Sequence, residues 1–350
     1  MVFKVRILSG IVKIVALSFG LATIFSCETR RRIDCLEGFG SPVELSPQKR
    51  IEHMYLRAPY GLLIRDTVLI SWESSEGKQL SFHSINTGTL LFQCLDMGRG
   101  PGEAQHVDDV YIKADSLYAS VYPEGLFGYN LDDLMTGRRR VAQSVYAHDG
   151  IIASTGITAF SKNEADDENA TMYRTASLAD STLLYWCDFP ADDPVDYPKA
   201  DFSKQLAYQG HYFVPENVGK ALFVYYYAIG FSVLDLEKLS VDHHFYTYPQ
   251  VELQYFPTFD VTKVSFVEKH QKGFKSGAAC DNCFYLLYED ENVSSGSYIL
   301  SFDWEGRPMG LYHVDESLAC FAVDEDAGIL CALDAREDLE GSDVFIYYLR

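Results

Sequence analysis

The stretch DMGRGPGEAQH, residues 96–106, places three glycines, a proline, an arginine and a glutamate in one loop. A glycine-rich loop cradles phosphate when a lysine and a serine or threonine follow it and a helix begins there. Here those residues are missing, and strand-like sequence flanks the loop on both sides. We therefore exclude a nucleotide-binding loop. The glycines are expected to let the backbone cross close to the axis of the fold.

Four side chains in and after this loop are candidate ligand contacts at the mouth of a channel: Arg99, Glu103, His106 and Asp108. Arg99 and Glu103 are expected to pair and fix the loop. Histidine and aspartate bind divalent metals, but their spacing here matches no metal motif. No cofactor is predicted. The alternative is a divalent metal held in the channel by inward Asp, Glu and His side chains. Besides His106 and Asp108, the side chains expected to approach the channel are Asp109, His211, Asp281 and Asp324.

Cys280 and Cys283 form a C-x-x-C motif between two strand-like runs. A redox pair needs a helix N-terminus to lower one thiol pKa, and a zinc ribbon needs a second cysteine pair. We expect strand packing or a local disulfide across the turn. The sequence also lacks the G-x-S-x-G elbow of serine hydrolases. No catalytic residue is predicted.

The N-terminus has the pattern of an exported lipoprotein. Lys4 and Arg6 precede an apolar run over residues 7–25, which ends at LATIFSC. This pattern predicts a lipoprotein signal peptide over residues 1–26 and lipidation of Cys27. An uncleaved membrane anchor is the alternative. In either case the rest of the chain lies outside the cytoplasm.

Residues 27–40, which include three consecutive arginines, are expected to form a tether. The predicted localisation is the cell envelope, at the periplasmic face or the cell surface, with membrane contact through the lipid anchor only. The full chain carries a formal charge of −21, and loss of the three basic residues of the leader makes it −24. Such a charge repels nucleic acid, which is excluded as a partner.

Short apolar runs separated by polar turns recur along the chain, and helical periodicity is almost absent after the leader. The first turns of the units fall at Asp66, Asp115, Gly156, Gly219, Asp281 and Asp326, 41 to 63 residues apart. This period predicts an all-β fold over residues 41–350, a six-bladed β-propeller of four-stranded antiparallel blades. The last unit lacks its outer strand, so residues 41–54 are expected to supply an N-terminal strand that closes the ring. Seven blades remain an alternative.

The GRGPGE tract after the first unit, the Asp-Ser/Thr turns and the lipidation motif resemble the six-bladed TolB-like β-propeller lipoproteins of Bacteroidetes. The resemblance covers the chain from about residue 40 to its end. It departs from the family at Ala104, where an aromatic residue is usual. The resemblance implies fold and compartment rather than an activity.

The turn residues Thr67, Ser116 and Ser181 each follow an aspartate. This resembles the O-glycosylation pattern of Bacteroidetes envelope proteins, although tight turns favour the same residues. The predicted function is a non-catalytic binding or scaffolding propeller for an envelope protein or glycan. The alternative is a metal-dependent enzyme of the lactonase or lyase type with its site in the central channel. A sensor that binds a ligand and signals across the envelope is a third hypothesis.

Overall fold

The structure is a computed structural model. It describes residues 34–54, 56, 59–73, 77–122, 125–138, 142–146, 151–152, 158–162, 171–177, 182–190, 193, 203–256, 261–268, 270–289, 296–335 and 342–349. The chain divides into two compact units, Met1–Glu37 and Gly38–Arg350. In the first unit, the described residues form a turn in which the Leu36 N–H donates to Asp34 Oδ1 at 2.9 Å. The predicted signal peptide and Cys27 lie outside the described residues.

Short strands dominate the second unit, because runs of branched and aromatic residues alternate with turn residues. The strands of its first half are β1 (Val43–Glu44), β2 (Lys49–Met54), β3 (Gly61–Arg65), β4 (Val68–Trp72), β5 (Lys78–Ser84), β6 (Leu90–Asp96), β7 (His106–Lys113), β8 (Ser116–Tyr122), β9 (Gly125–Asn130), β10 (Gln143–Tyr146), β11 (Ile151–Ile152), β12 (Thr158–Lys162), β13 (Thr171–Ser177) and β14 (Leu183–Asp188).

The strands of the second half are β15 (Gly210–Phe213), β16 (Lys220–Tyr225), β17 (Gly230–Asp235), β18 (Ser240–Tyr246), β19 (Val251–Phe256), β20 (Val261–Phe266), β21 (Phe274–Ala279), β22 (Cys283–Tyr288), β23 (Ser297–Asp303), β24 (Pro308–Val314), β25 (Leu318–Asp324), β26 (Ile329–Asp334) and β27 (Ser342–Tyr348). Among the described residues, the helices are α1 (Leu131–Thr136) and α2 (Ser203–Ala207). Within the described ranges, no helix has the length and apolar character required to cross a bilayer.

Consecutive strands pair antiparallel into serial sheets. Sheet I contains β3–β6, sheet II β7–β10, sheet III β11–β14, sheet IV β15–β18, sheet V β21–β24, and sheet VI β25–β27 with β2. The β19–β20 pair forms a separate two-stranded sheet. The first strands of sheets I, II, IV, V and VI surround a central cavity. Small antiparallel sheets arranged in series around a cavity define an all-β propeller.

The predicted count of six four-stranded blades is wrong, because five sheets line the cavity. Among the described residues, sheet III contributes none to the lining, and its first strand has only two residues. Sheet III packs against its neighbours through Met172 and Tyr173. Strands β7 and β15 instead approach each other directly, since Asp109 pairs with His211 at 2.9 Å. Sheet V departs from the four-strand rule as well, because β1 adds in parallel to β24.

The ring closes through the N-terminal segment, as predicted. Strand β2 pairs antiparallel with β27, with Ile51 opposite Val344. The Arg50 guanidinium pairs with the Asp343 carboxylate across this junction. Ile51 also packs in the apolar layer between sheets VI and I, which contains Leu69. Strand β2 therefore completes the last sheet and covers its edge.

Several middle strands are buried along their whole length, because sheets pack on both of their faces. All residues of β4, β17 and β22 are buried. The aromatic stretch over residues 221–231 is buried except at its centre. Tyr226 there is 42% exposed, and its hydroxyl contacts His211 at the start of β15.

Candidate functional site

The central cavity has a volume of about 620 Å³. Ligand pockets typically span roughly 300–1,000 Å³, so this volume admits a small molecule or a protruding side chain. The lining comes from five first strands and from the turns that follow four of them, β3, β15, β21 and β25. These strands belong to five different sheets, and their shared direction brings the four turns together at one end of the cavity.

The wall of the cavity is mostly apolar. It is lined by residues such as Leu62, Trp72, Val110, Phe213 and Val323. The Trp72 indole N–H donates to the Asp108 carbonyl oxygen at 3.3 Å, so this ring also links sheets I and II. Gly61 fits against the Trp72 ring, because a Cβ there would lie 2.1 Å from it. An apolar wall of this kind can accept the aliphatic part of a ligand.

The carboxyl ends of the first strands carry a ring of acidic side chains that we call the acidic rim. Its members are Asp66, Glu216, Asp281, Asp324, Glu325 and Asp326. Arg65 is the only lysine or arginine among the described lining residues. Its guanidinium pairs with Glu216. Although burial opposes the effect, the hydrogen bond and charge of Glu216 raise the pKa of Arg65.

Contacts between neighbouring turns hold the acidic rim in place. The Asn217 backbone N–H donates to Asp281 Oδ1 at 3.0 Å, and its side-chain amide donates to Oδ2 at 2.6 Å. The Asn282 N–H donates to Glu325 Oε2 at 3.3 Å. Asp66 itself has a φ of +55°, which fits the tight β3–β4 turn. The carboxylates are therefore positioned before any ligand arrives.

Lys113 lies beside the rim and is held by the backbone. Its ammonium donates to the carbonyl oxygen of Val218 at 2.8 Å and to that of Pro215 at 3.3 Å. Burial lowers the pKa of Lys113, against the opposing charges of Asp281 and Glu216. This lysine links β7 to the turn after β15. Sheet III contributes none of the described residues that line the cavity.

The C-x-x-C motif closes the β21–β22 turn, with Cys280 in the cavity wall. Both cysteines are free thiols. Burial raises the pKa of Cys280 well above its usual value and that of Cys283 to about 11. At neutral pH both groups are therefore protonated and poor nucleophiles. Of the two predicted states, the structure has strand packing without a disulfide.

The amino ends of the first strands have a different composition. The His211 Nδ1–H donates to Asp109 Oδ1 at 2.9 Å, and the Tyr226 hydroxyl donates to His211 Nε2 at 2.8 Å. Close by on β7, His106 Nε2 lies 3.3 Å from Asp108 Oδ1. The sequence indicated His106, Asp108 and Asp109 at the start of this strand, and His211 as a further channel residue, but not Tyr226.

The predicted pairing of Arg99 with Glu103 is wrong. Glu103 Oε2 accepts a hydrogen bond from the Gly100 N–H at 2.8 Å, and Arg99 Nη2 donates to Gln105 Oε1 at 3.4 Å. A Cβ at Gly98 would lie 1.9 Å from the Glu103 carboxylate. The glycines therefore leave room for this carboxylate to bind the backbone of its own loop. Neither Arg99 nor Glu103 is among the described lining residues, and a ligand role for them stays a prediction.

The predicted glycosylation positions lie in different surroundings. Thr67 is exposed in the β3–β4 turn beside the acidic rim, and Ser116 is half-buried at the start of β8. Ser181 lies outside the described residues. Glycosylation at these positions stays a prediction.

One group of three side chains within the described ranges could hold a metal ion. Glu44, His313 and Asp315 place their ligand atoms within 4.8 Å of one another. His313 Nδ1 lies 2.7 Å from Glu44 Oε2, where β1 joins sheet V. This group is separate from the cavity lining, and the described rim carboxylates form no comparable set of three.

The topology and the central cavity define the protein as a β-propeller. No protein-family model and no curated protein matches the chain. Regucalcin from Agrobacterium tumefaciens, a calcium-binding protein, is 13% identical over 89% of this chain and 98% of that chain, with a TM-score of 0.46.

Two further solved structures are similar at the same level. BamB from Moraxella catarrhalis is 10% identical over 83% of this chain and 84% of that chain, with a TM-score of 0.38. The β-propeller domain of Cps50 (Swd1) from Myceliophteria thermophila is 9% identical over 84% and 99%, with a TM-score of 0.43. These similarities carry no argument about function, and the fold assignment depends on the topology described above.

Proposed function

We propose that the protein is a non-catalytic binding propeller whose cavity receives a lysine or arginine side chain of a protein partner. The observation that supports this is the acidic rim above an apolar wall. Six carboxyl groups and one arginine surround the opening, and residues such as Leu62 and Val110 lie below them. A lysine or arginine side chain that lies across the opening would place its charged head among these carboxylates and its aliphatic stem against the apolar residues beside them.

The spacing of the carboxylates favours such a side chain over a single metal ion. A metal site needs several ligand atoms close together, and no three described rim groups approach within 4.8 Å. A guanidinium can instead bind two separate carboxylates through its several N–H donors. The rim therefore suits an extended cation better than a compact one.

The partner is proposed to lie in the cell envelope, where the lipid on Cys27 would hold the propeller. Of the two partner classes predicted from the sequence, protein or glycan, the acidic rim favours a protein. The strong negative charge of the chain would also attract a basic partner over a distance. The resemblance to envelope lipoproteins supports the same compartment.

Peptide pools test the cavity. Purified protein is titrated by calorimetry with acetylated pentapeptides that carry a central arginine, and with the same pools carrying citrulline, which is nearly isosteric but neutral. We expect the arginine pools to bind at least about tenfold more tightly. Equal affinity for the two pools, or no binding of either below about 1 mM, would refute the proposal.

The predicted alternative, a metal-dependent lactonase or lyase with its site in the channel, is tested separately. Protein purified without chelator is analysed for divalent metal, as wild type and as His106→Gln and Asp108→Asn variants. A stoichiometric ion that is lost in these variants would favour the enzyme. The binding proposal expects no change in metal content between wild type and variants.

The anchor is tested in a bacterial host with a clickable fatty acid. We expect labelled wild-type protein in the membrane fraction and an unlabelled Cys27→Ser variant. An unlabelled wild-type protein would contradict the anchor but not the cavity proposal.

A further inference from the structure

Exposed tyrosines lie at or beside the amino ends of the first strands, whereas the acidic rim lies at their carboxyl ends, and none of these tyrosines is among the described lining residues of the cavity. We define the tyrosine patch by six residues: Tyr60, Tyr122, Tyr226, His106, Asp108 and His211. The three tyrosines are 47%, 59% and 42% exposed. Large exposed rings that lie close together mark binding surfaces more often than rings scattered singly do.

Contacts along β7 and β15 connect the patch. The Tyr60 ring lies 5.0 Å from the His106 ring, and His106 stands directly opposite Tyr122 in the β7–β8 pair. On the other side, the Tyr226 ring lies 4.6 Å from the His211 ring. The Asp109 carboxylate accepts the His211 N–H, so β7 carries groups of both halves, and the charges of Asp108 and Asp109 both act on Tyr226.

The rings and polar groups of the patch are held in position. The Tyr60 N–H donates to the Trp72 carbonyl oxygen at 2.8 Å. The Tyr226 hydroxyl donates to His211 Nε2, and Asp109 fixes the opposite side of the same imidazole. A tyrosine offers a large contact area for little conformational entropy, and fixing it reduces the cost of binding further.

We propose that the tyrosine patch binds a neutral saccharide, at a second site independent of the peptide site proposed for the acidic rim. Tyrosine rings present flat apolar faces to the C–H faces of a sugar. Imidazole and carboxylate groups beside them supply the donors and acceptors that sugar hydroxyls require. This combination of rings, donors and acceptors distinguishes the patch from the acidic rim, where carboxylates predominate.

The charges of the patch favour a neutral ligand. Asp108 and Asp109 repel anionic sugars, and none of the six patch residues is a lysine or arginine. Each carboxylate already has an imidazole partner, His106 or His211, which reduces its attraction for a cation. Burial and the charges of both aspartates raise the pKa of Tyr226, so its hydroxyl stays neutral.

The test uses four neutral probes: the hexasaccharides of α-1,4-glucose, β-1,4-glucose, mannose and xylose. Binding is measured by calorimetry and by saturation-transfer NMR, with hexagalacturonate as the anionic and a chitosan hexamer as the cationic comparator. We expect at least one neutral probe to bind with Kd below about 5 mM and more tightly than either comparator.

Three variants of the tyrosine patch and one control variant test whether the saccharide binds there. Tyr122→Ala and Tyr226→Ala are each expected to weaken the best neutral probe about tenfold, since each removes a stacking face. Tyr226→Phe keeps the ring and is expected to stay within about threefold of wild type. Tyr348→Ala is the matched control, because Tyr348 is a 50% exposed tyrosine at the end of β27.

Absence of binding to all four neutral probes would overturn the proposal, as would a preference for the anionic or cationic comparator. Equal losses in Tyr122→Ala and Tyr348→Ala would also overturn it, because the effect would not then be specific to the patch. The arginine-peptide assay reports on the acidic rim, so failure of one proposal does not imply failure of the other.

Discussion

At the carboxyl ends of the first strands, six acidic side chains face the cavity, whereas at the amino ends exposed tyrosines surround two imidazole–carboxylate pairs. The same β7 strand contributes to both ends, since Asp108 and Asp109 lie near its start and Lys113 ends it. Within its eight residues, β7 thus runs from the imidazole–carboxylate pairs to the side of the acidic rim. The comparison shows that the two ends of the same first strands carry side chains of different chemistry.

The largest expected effect comes from removing rim charge. The triple variant Asp66→Asn, Asp324→Asn and Asp326→Asn should lower the affinity for arginine pentapeptides about a hundredfold, because each lost carboxylate contributes about 1 kcal/mol. Asparagine suits the positive φ of Asp66, so the turn is preserved. Calorimetry measures the loss.

The matched control for this variant changes net charge by the same amount at Glu52, Asp132 and Glu252, exposed residues outside the described cavity lining. Substituting each by its amide should leave peptide affinity within about threefold. A comparable loss in the control would mean that overall charge, rather than the rim, attracts the peptide. Saccharide binding should be unchanged in both variants.

Replacing His83 tests the stability of the whole fold rather than ligand binding at either end of the first strands. His83 is 1% exposed, and among the described residues neither ring nitrogen has a hydrogen-bond partner. Burial lowers its pKa from 6.5 to about 4, although the charge of Glu73 opposes this. The unfolded chain therefore gains a proton on this ring between these pH values that the folded chain does not accept.

Stability should accordingly fall as the pH drops through this window, by about 2 kcal/mol from pH 7 to pH 5 for this group. His83→Leu should remove that part of the pH dependence, as measured by urea unfolding at both pH values. Identical slopes in wild type and variant would show that the ring does not titrate as expected.

Salt should separate the two ends. Raising NaCl from 50 to 500 mM should weaken arginine-peptide binding about tenfold, because the Debye length shortens from roughly 14 to 4 Å. Neutral saccharide binding should change less than about twofold over the same range. Equal salt dependence at both ends would contradict the proposed difference in their chemistry.

The smallest effect is expected at the contact between β7 and β15. His211→Phe removes the hydrogen bonds to Asp109 and Tyr226 while keeping a ring, and should cost about 1 to 2 kcal/mol of unfolding free energy. It should also weaken saccharide binding several-fold and leave peptide binding unchanged. Loss of peptide binding instead would mean that the two ends are structurally coupled.

The parts of the fold that depend on local pattern could be predicted from the sequence. The strand–turn–strand period gave the propeller class, and the unfilled edge of the last unit predicted the closing strand that β2 provides. Asp281 and Asp324 were expected to approach the channel, and both line it. The glycines of residues 96–106 leave room for the Glu103 carboxylate, whereas their expected passage close to the axis stays a prediction.

The errors concern features that local pattern does not encode. Turn spacing counts units but does not show whether a first strand reaches the axis, so the five lining sheets were not foreseen. Asp109 and His211 were both expected near the channel, but the hydrogen bond between them joins positions 102 residues apart and was not predicted. Arg99 and Glu103 were expected to pair from their charges, but backbone N–H donors within the loop lie closer to the carboxylate.

One titration tests whether the acidic rim and the tyrosine patch bind their ligands independently. Protein saturated with an arginine pentapeptide is titrated by calorimetry with the best neutral hexasaccharide. We predict one saccharide site per chain, with an affinity within about twofold of that measured without peptide. Competition between the two ligands, or saccharide binding that is lost when peptide is bound, would contradict the account.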